Sequence, residues 1–576
     1  MNIPYQFMGK RLLSVSLVAS VLLAAVLTGC EQNGNNTVPP AESQASARPE
    51  SSANYYNDPG TFPIVKEKIT LRVGVPTVPV IKDYKTNEVT RFLEKKTNIE
   101  LVFEEYPLDE YVTKVDLMGA AGGADLPDIL MLGGPAGNFS STAVSNWGQA
   151  GMIVPLNKYF DKLAYHLRSA YEEARYMDYS TMLTLSASTD GNIYAVPSYG
   201  EEVGNQVGGG RMLIYKEWLD KLNMKKPTTL EGMRAYLEAV RDNDMNGNGN
   251  SKDEIPLTGF IGQLYQIKGA FLTPFLGSNG TDPWINREGK IEFTYNKEEY
   301  RQGIRYIKGL VDDKLLDPSF FTQDQAQMTA MITSSPHLVG AYGRSSYSNL
   351  PRELWPTYGV YAVALAGPDG KRHQTYWPPT PFPTFLITKN CKYPEAAFLF
   401  ADYLASSEVS FINRYGFEGQ DWRAMDPAKE VNLYNAKDPV MQTVNKWGSL
   451  QNTYWGGVGA YTNNASFAER TATMPNDPAN ADYIINEIVA NLVKEAEPLA
   501  VRGTTISKLV YNEKENEIMQ DIWAPIETYV NESFTRFVMS DMNLDTEWDA
   551  YVQTMNSMGL KEVLNAVQSS YDRMFK

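Results

Sequence analysis

The segment KITLRVGVPTVPV, residues 68–80, alternates apolar and polar side chains and predicts the first strand of a sheet. The apolar side chains that share one face of this strand are Ile69, Leu71, Val73 and Val75. Four further elements follow by hydrophobic spacing: a helix over 87–97, a strand over 99–103, a helix over 109–118 and a strand over 127–132. This β-α-β-α-β order predicts a parallel sheet with right-handed crossovers. Such sheets bind ligands beyond the carboxyl ends of their strands.

The N-terminal residues have the pattern of a secretory signal peptide. Two positive charges precede an uncharged apolar run over residues 12–27, which is shorter than the about 20 residues that a membrane-spanning helix needs. The run ends in LTGC, residues 27–30, which resembles a bacterial lipobox. The resemblance implies removal of residues 1–29 and a diacylglycerol on Cys30, so the mature protein would be anchored to the membrane without spanning it.

Composition divides the rest of the chain into a linker and a folded body. Residues 30–64 are rich in Asn, Ser, Ala, Pro and Glu, and we expect a disordered linker behind the lipidated cysteine. Residues 65–576 are too many for one core and predict at least two lobes. The net charge of −16 argues against nucleic acid as a partner. With Cys30 lipidated, Cys391 has no partner for an intrachain disulfide.

The segment DNDMNGNGNSKDE, residues 242–254, has oxygen-bearing side chains at alternating positions and glycines for a tight turn. Ca²⁺ takes 6 to 8 oxygen ligands from such side chains and from backbone carbonyls. One register uses Asp244, Asn246, Asn248, the Asn250 carbonyl, Asp253 and Glu254. A second register starts at Asp242 and uses Asp244, Asn246, Asn250 and Asp253. We expect a structural Ca²⁺ site; the alternative is a solvated Asn-Gly turn.

Sequence motifs give little support for catalysis. The zinc-protease, nucleophile-elbow and P-loop patterns are all missing from the sequence, and its three histidines are isolated from one another. A glycoside hydrolase needs only two carboxylates, so a secreted glycan-active hydrolase remains the alternative to a binding protein. A peptide-binding lipoprotein is a third possibility.

Several short motifs occur along nearly the whole chain. They are LPDI at 126–129, YAVP at 194–197, YKEWLDKL at 215–222, NGNG at 246–249, DEIPL at 253–257, YPEAA at 393–397, YGFEG at 415–419, WDAY at 548–551 and MGL at 558–560. With the lipobox, their order resembles the extracellular solute-binding family 1 of bacterial ABC importers, in the oligosaccharide-binding lipoprotein branch of Paenibacillus-like bacteria. Relatives of this type usually have two residues between the NGNG motif and the Asp-Glu pair. Here three residues separate Gly249 from Asp253.

The resemblance implies an α/β, two-lobed, periplasmic-binding-protein-like fold. Each lobe would have a mainly parallel sheet flanked by helices, with a hinge and a central ligand cleft. We expect discontinuous lobes, roughly 65–195 plus 335–425 and 196–334 plus 426–576. The protein would be a monomer on the extracellular face of the cytoplasmic membrane, and it would deliver its ligand to an ABC permease.

A sugar-binding cleft needs aromatic platforms for C–H faces and planar polar groups for hydroxyls. Loops flanked by Gly and Pro that supply both predict eight ligand-binding residues: Tyr199, Glu201, Tyr342, Arg344, Trp377, Trp422, Trp447 and Trp455. Arg344 would also suit a carboxylate on the ligand. The identity and length of the sugar stay open at this stage.

Overall fold

Two separate β-sheets organise the folded chain. The computed structural model describes residues 55–201, 203–343, 358, 360–443, 450–477 and 481–576. The strands are β1 (Ile69–Thr77), β2 (Ile99–Pro107), β3 (Ile129–Met131), β4 (Val196–Gly200), β5 (Met212–Ile214), β6 (Ile255–Thr258), β7 (Trp284–Arg287), β8 (Lys290–Phe293), β9 (Val339–Gly343), β10 (Val360–Ala362), β11 (Phe382–Ile387), β12 (Trp422–Ala424), β13 (Glu430–Asn432), β14 (Val440–Gln442), β15 (Thr462–Asn463) and β16 (Thr473–Pro475).

Helices surround both sheets. They are α1 (Glu88–Thr97), α2 (Tyr111–Ala120), α3 (Ser141–Gln149), α4 (Asn157–Leu163), α5 (His166–Glu172), α6 (Tyr179–Ser186), α7 (Val203–Gln206), α8 (Lys216–Lys221), α9 (Leu230–Asp242), α10 (Leu264–Phe271), α11 (Thr273–Leu276), α12 (Glu298–Asp312), α13 (Gln325–Ile332), α14 (Pro394–Leu404), α15 (Ser407–Tyr415), α16 (Ala465–Thr471), α17 (Ala481–Ala496), α18 (Glu513–Ile518), α19 (Ala524–Val538), α20 (Trp548–Ser557) and α21 (Leu560–Phe575). Among the described residues, no helix is long and apolar enough to cross a membrane.

The first lobe is built on a six-stranded sheet of order β15-β4-β11-β3-β1-β2. β1 pairs in parallel with β2 from Ile69↔Ile99 to Thr77↔Pro107 and in parallel with β3 on its other side. The predicted β-α-β-α-β order is therefore confirmed. One face of the sheet packs against α1, α4–α6 and α14, and the other face packs against α2 and α3.

The second lobe is built on a four-stranded sheet of order β10-β5-β9-β6. β6 and β9 are parallel, whereas β5 is antiparallel to both β9 and β10. Its core combines this sheet with α9, α10 and α12 and with the C-terminal helices α19–α21. The α/β class is confirmed, and each lobe has a hydrophobic core of its own.

The lobe boundaries differ from the predicted ones. We expected residues 335–425 in the first lobe, but β9 and β10 belong to the second sheet. We expected residues 196–334 and 426–576 in the second lobe, but β4 and β15 pair with each other in the first sheet. Short apolar strands such as these carry no local signal for the sheet that they join, because partner choice is decided by long-range packing.

The folded body begins before the residue we expected. The linker was predicted to extend to residue 64, yet Tyr56 already forms a β-bridge with Val65, and Val65 is fully buried. The Tyr55 hydroxyl donates a hydrogen bond to Glu395 Oε2 at 2.9 Å. Residues 55–64 therefore pack on the first lobe. The predicted signal peptide and the lipidated Cys30 lie outside the described residues.

Candidate ligand site between the lobes

The chain crosses between the lobes in three places: between β4 and β5, between β10 and β11, and after β15. The buried side chain of Gln374 ties two of the crossing segments together, because its Nε2 donates to the Gly209 carbonyl at 2.6 Å. Beside it, the Trp377 backbone N–H donates to the Gln206 carbonyl at 2.8 Å. These contacts lie where the chain passes between the lobes, and we call this part of the structure the hinge region.

A cavity of about 580 Å³ lies between the lobes. The first lobe lines it with α3, residues 186–189, Pro197 and residues 381–383, and the second lobe lines it with residues 508–520. We call this space the interlobe cavity. Its two walls belong to different lobes, so any hinge motion changes its width.

The walls of the interlobe cavity are rich in groups that can bind hydroxyls. The neutral polar side chains in its lining are Ser141, Thr142, Ser145, Asn146, Gln149, Ser186, Ser188, Thr189, Asn516 and Gln520. Phe382 and Tyr511 add aromatic surface, and Glu513 and Glu517 add carboxylates. Convergent hydroxyl, amide and aromatic groups of this kind suit a polyhydroxylated ligand.

Lys508 reaches across the interlobe cavity. Its ammonium donates to Ser141 Oγ at 3.2 Å and to the Leu185 carbonyl at 3.1 Å, and both acceptors belong to the first lobe. Burial lowers the pKa of this ammonium, since removing a cation from water disfavours its charged form.

Tyr199 and Glu201, two predicted sugar ligands, are instead buried beside the hinge. The Glu201 carboxylate accepts hydrogen bonds from the backbone N–H groups of Arg175 at 3.0 Å and Tyr176 at 2.7 Å. It also accepts from the Ala465 N–H at 3.2 Å and from the Tyr199 hydroxyl at 2.7 Å. Both carboxylate oxygens are therefore engaged within the protein, so the structure corrects these two predictions.

Two further predicted ligands belong to the cores. Trp455 is fully buried, and its indole N–H donates to Thr90 Oγ1 at 3.0 Å. Tyr342 lies in β9 and is 1% exposed, with its ring edge-on to Tyr358. Both were chosen because glycine follows them in loop-like sequence, but here the aromatic ring fills a core. The structure corrects these predictions as well.

The remaining predicted ligands are partly exposed or outside the described residues. Trp377 packs near Tyr265, with 5.7 Å between ring centroids, close to the hinge. Trp422 lies on the first lobe, where its indole N–H donates to the Gly416 carbonyl at 2.9 Å and its ring borders a separate cavity. Arg344 and Trp447 are outside the described residues. None of the predicted ligands that the structure describes is in the lining of the interlobe cavity.

Sequence reasoning missed the residues that do line this cavity. Phe382 comes five residues after Trp377 in the Pro-rich segment 378–383, so the prediction stopped just short of it. Its ring meets that of Tyr461 edge-on, with 6.1 Å between centroids. Lys508 and Tyr511 carry no motif at all, and their position depends on how the C-terminal region folds back over the hinge.

The predicted calcium loop forms a turn organised around Asp244. Its carboxylate accepts hydrogen bonds from the backbone N–H groups of Gly247 at 2.7 Å, Asn248 at 3.2 Å and Gly249 at 2.8 Å. Gly247 and Gly249 both have positive φ, at 76° and 87°. The glycines thus allow the chain to wrap around a carboxylate.

The donor set of this loop fits a hard cation in part. Asp253 Oδ1 and Glu254 Oε2 are buried and have no hydrogen-bond partner. The other Glu254 oxygen accepts from the Met245 N–H at 2.7 Å, so this side chain folds inward over the loop. Among the described residues, however, no three acidic, His or Cys side chains are placed to hold a metal ion together. The other predicted ligands are the amide oxygens of Asn246 and Asn248 and the backbone carbonyl of Asn250.

The protein has two lobes joined by crossing segments, and a polar cavity lies between them. This is the architecture of a ligand-binding protein whose two lobes are connected by a hinge. The family model for bacterial extracellular solute-binding proteins matches residues 89–419, so the chain belongs to this family. This confirms the predicted family.

Comparison with individual proteins agrees with this assignment. The fructooligosaccharide ABC transporter substrate-binding protein FusA of Streptococcus pneumoniae is 26% identical over 543 residues, covering 91% of this chain and 94% of FusA. A FusA structure in complex with kestose has a TM-score of 0.60 and 23% identity, covering 88% of this chain and 99% of that one. A human-milk-oligosaccharide (HMO)-binding solute-binding protein from Bifidobacterium longum infantis has a TM-score of 0.63 and 19% identity over the same shares.

Two related structures bear on calcium. One is an EF-hand mutant of FusA in complex with fructo-nystose, with a TM-score of 0.60. The other is the alginate-binding protein AlgQ2 solved without calcium ion, with a TM-score of 0.55, 20% identity and coverage of 88% of this chain and 99% of that one. Calcium sites are thus indicated in relatives of the same fold.

Proposed function

We propose that this protein captures an oligosaccharide in the interlobe cavity and delivers it to the transmembrane subunits of an ABC importer. The observation that carries the proposal is the lining of the cavity, in which hydroxyl and amide side chains from both lobes face the same space. A ligand that bonds to both walls stabilises the closed arrangement of the lobes, which is a general way to signal occupancy. The saccharide ligands of FusA and of the HMO-binding protein support this class of solute.

The protein acts outside the cytoplasmic membrane as a lipid-anchored monomer. The proposed acyl groups on Cys30 tether the folded body, which starts at Tyr55, through the segment between them. This arrangement keeps the body near its permease.

A calcium ion bound by residues 244–254 clips the loop that joins α9 to β6. Asp244, Asn246, Asn248, the Asn250 carbonyl, Asp253 and Glu254 would supply the oxygen ligands. The two buried carboxylate oxygens without partners support this proposal, since a cation would satisfy both. The role of the ion is structural, because the loop lies on the second lobe away from the interlobe cavity lining.

Capture without turnover is the proposed activity. The family and the relatives reported above are binding proteins, which favours this over the alternative of a glycan hydrolase. Trp377, near the hinge but outside the lining of the interlobe cavity, stays a prediction. Trp422, Arg344 and Trp447 stay predictions.

A thermal-shift screen of residues 31–576 against neutral and acidic oligosaccharides tests the proposal. We expect at least one oligosaccharide to raise the melting temperature in proportion to the logarithm of its concentration, without being cleaved. Cleavage of the sugar would favour a hydrolase. A response to peptides but to none of the oligosaccharides would favour a peptide-binding protein.

A further inference from the structure

Lys508 is the only cationic side chain among the described residues that line the interlobe cavity. Its two hydrogen-bond acceptors, Ser141 Oγ and the Leu185 carbonyl, are both uncharged. An ammonium has three N–H donors, so a third remains for a ligand.

The charges around Lys508 leave its ammonium without a counter-ion. The cavity carboxylates, Glu513 and Glu517, belong to exposed side chains. Neither of them is within 4.0 Å of the ammonium, and in the described parts of the chain no ion pair involves Lys508. Lys508 is half-buried, and removing a cation even partly from water without a counter-ion is costly.

Lys268, a buried lysine, shows how the cost of burying a cation is met elsewhere in the second lobe. Lys268 donates to Asn531 Oδ1 at 2.8 Å, and its ammonium lies 4.9 Å from the ring centroid of Phe534 and 5.4 Å from that of Tyr295. Lys268 is thus compensated by a hydrogen bond and two aromatic faces. The ammonium of Lys508 instead faces an open cavity with walls from both lobes.

We infer that the captured oligosaccharide carries an acidic group, and that this group binds the Lys508 ammonium inside the interlobe cavity. The inference rests on the proposed function and specifies its substrate class. A uronic acid carboxylate and an ester sulfate share the required chemistry, which is an anionic oxygen that accepts a charge-assisted hydrogen bond. Because Lys508 also contacts the first lobe, the acidic group would bind where the two walls meet.

The main competing role of Lys508 is structural. Leu185 lies in the last turn of α6, where a cation stabilises the helix C-terminus. A lysine that served only this purpose would affect the stability of the free protein and leave the choice of ligand unchanged. The two roles therefore differ in what they predict for ligand selectivity.

The test compares wild-type protein with Lys508→Gln, Lys508→Arg and Lys514→Gln by isothermal titration calorimetry. Lys514 is exposed on the same segment and is outside the cavity lining, so it is the matched control. The probes are tetragalacturonate and tetramannuronate, the same tetrasaccharides with their carboxyl groups reduced to alcohols, and a sulfated carrageenan tetrasaccharide. Circular dichroism confirms that each variant is folded.

We expect at least one acidic probe to bind wild-type protein about tenfold or more tightly than its neutral counterpart, as a charge-assisted hydrogen bond implies. Lys508→Gln should remove this preference, whereas Lys508→Arg and Lys514→Gln should keep it. Preference for the uronates over the sulfated probe, or the reverse, identifies the acidic group.

Equal binding of acidic and neutral probes, or a preference that survives in folded Lys508→Gln, would overturn the inference and leave the proposed function standing. If Lys508→Gln does not fold, equal binding of acidic and neutral probes by wild-type protein still overturns the inference. Failure of wild-type protein to bind any probe or any neutral oligosaccharide would overturn the proposed function itself.

Discussion

The Glu201 carboxylate accepts four hydrogen bonds where three segments of the chain meet beside the hinge. Three of the donors are backbone N–H groups, which cannot turn away if the acceptor is lost. The Tyr199 hydroxyl is the fourth, and the carboxylate raises the pKa of that phenol further than burial alone. Glu201 thus holds the start of α16 and the segment before α6 against β4.

Glu201→Gln should lower the free energy of unfolding by about 2–3 kcal/mol, because an amide replaces one accepting oxygen with a donor that faces other donors. Urea unfolding followed by tryptophan fluorescence measures this change. Glu517→Gln, which replaces an exposed carboxylate of the same type, should stay within about 0.5 kcal/mol of wild type. Equal effects of the two substitutions would contradict the buried network.

Asp402 is a second buried carboxylate, and it predicts a pH effect on stability. It accepts the backbone N–H groups of His166 at 3.0 Å and Leu167 at 2.9 Å, yet burial raises its pKa to about 6. The folded state therefore holds a proton more tightly than the unfolded chain. This contribution to stability is present below about pH 4 and is lost as the pH rises through about 6.

Asp402→Asn removes this titration while keeping one acceptor oxygen. Between pH 4 and pH 7 the wild-type free energy of unfolding should fall by about 2–3 kcal/mol more than that of the variant. Urea denaturation at several pH values measures both slopes. Parallel slopes for the two proteins would show that Asp402 does not titrate in this range.

At the scale of elements, the loop after β3 is held against the chain that leads into β15. Gly133 forms a β-bridge with Val458, and the Gly459 N–H donates to the Leu132 carbonyl at 2.8 Å. A Cβ on Gly133 would lie 2.3 Å from the carbonyl oxygen of Gly457, closer than any real contact. Only glycine allows the two loops to meet at this distance.

Gly133→Ala should therefore destabilise the protein by more than about 2 kcal/mol, while Gly137→Ala should cost about 1 kcal/mol. Both glycines have positive φ, but a Cβ on Gly137 would meet nothing within 4 Å. The difference between the two losses of stability thus reports the clash with the Gly457 carbonyl, separately from the cost of a positive φ. Chemical denaturation of both variants measures it, and equal losses would contradict the contact.

The loop between α9 and β6 gives a prediction for calcium. EDTA should lower the melting temperature by several degrees, and added Ca²⁺ should restore it, because a bound ion stabilises the folded state by mass action. Asp244→Asn should weaken the response to Ca²⁺. Differential scanning calorimetry measures the effects of EDTA, of added Ca²⁺ and of the substitution. A melting temperature that does not change in EDTA would show that the loop holds no stabilising Ca²⁺.

The sequence predicted the helices and strands better than it predicted the residues of the ligand site. Alternation over residues 68–80 and helical spacing over 87–97 predicted β1 and α1, because both patterns are local. Tyr342 and Trp455 look like loop aromatics in sequence, yet they fill cores, since burial depends on residues far away in the chain. Lys508 has no local signature, and only the folded C-terminal region brings it opposite Ser141.

At the scale of the whole molecule, two hydrophobic cores and three crossing segments make relative motion of the lobes the natural response to a ligand. The interlobe cavity takes one wall from each lobe, so the ligand contacts both only when they are close. The exchange of β4, β9, β10 and β15 between the expected lobes does not alter this architecture. The exchange changes only which strands belong to each lobe.

The central claim is that a saccharide binds in the interlobe cavity, and a blocked cavity tests it most directly. Ser145, on the α3 wall, is replaced by tryptophan, and Lys514→Trp, at an exposed position outside the lining, serves as the control. Calorimetric titration with the oligosaccharide identified by thermal shift should show at least a hundredfold weaker binding for folded Ser145→Trp and unchanged binding for Lys514→Trp. Wild-type affinity in the Ser145→Trp variant would contradict the account.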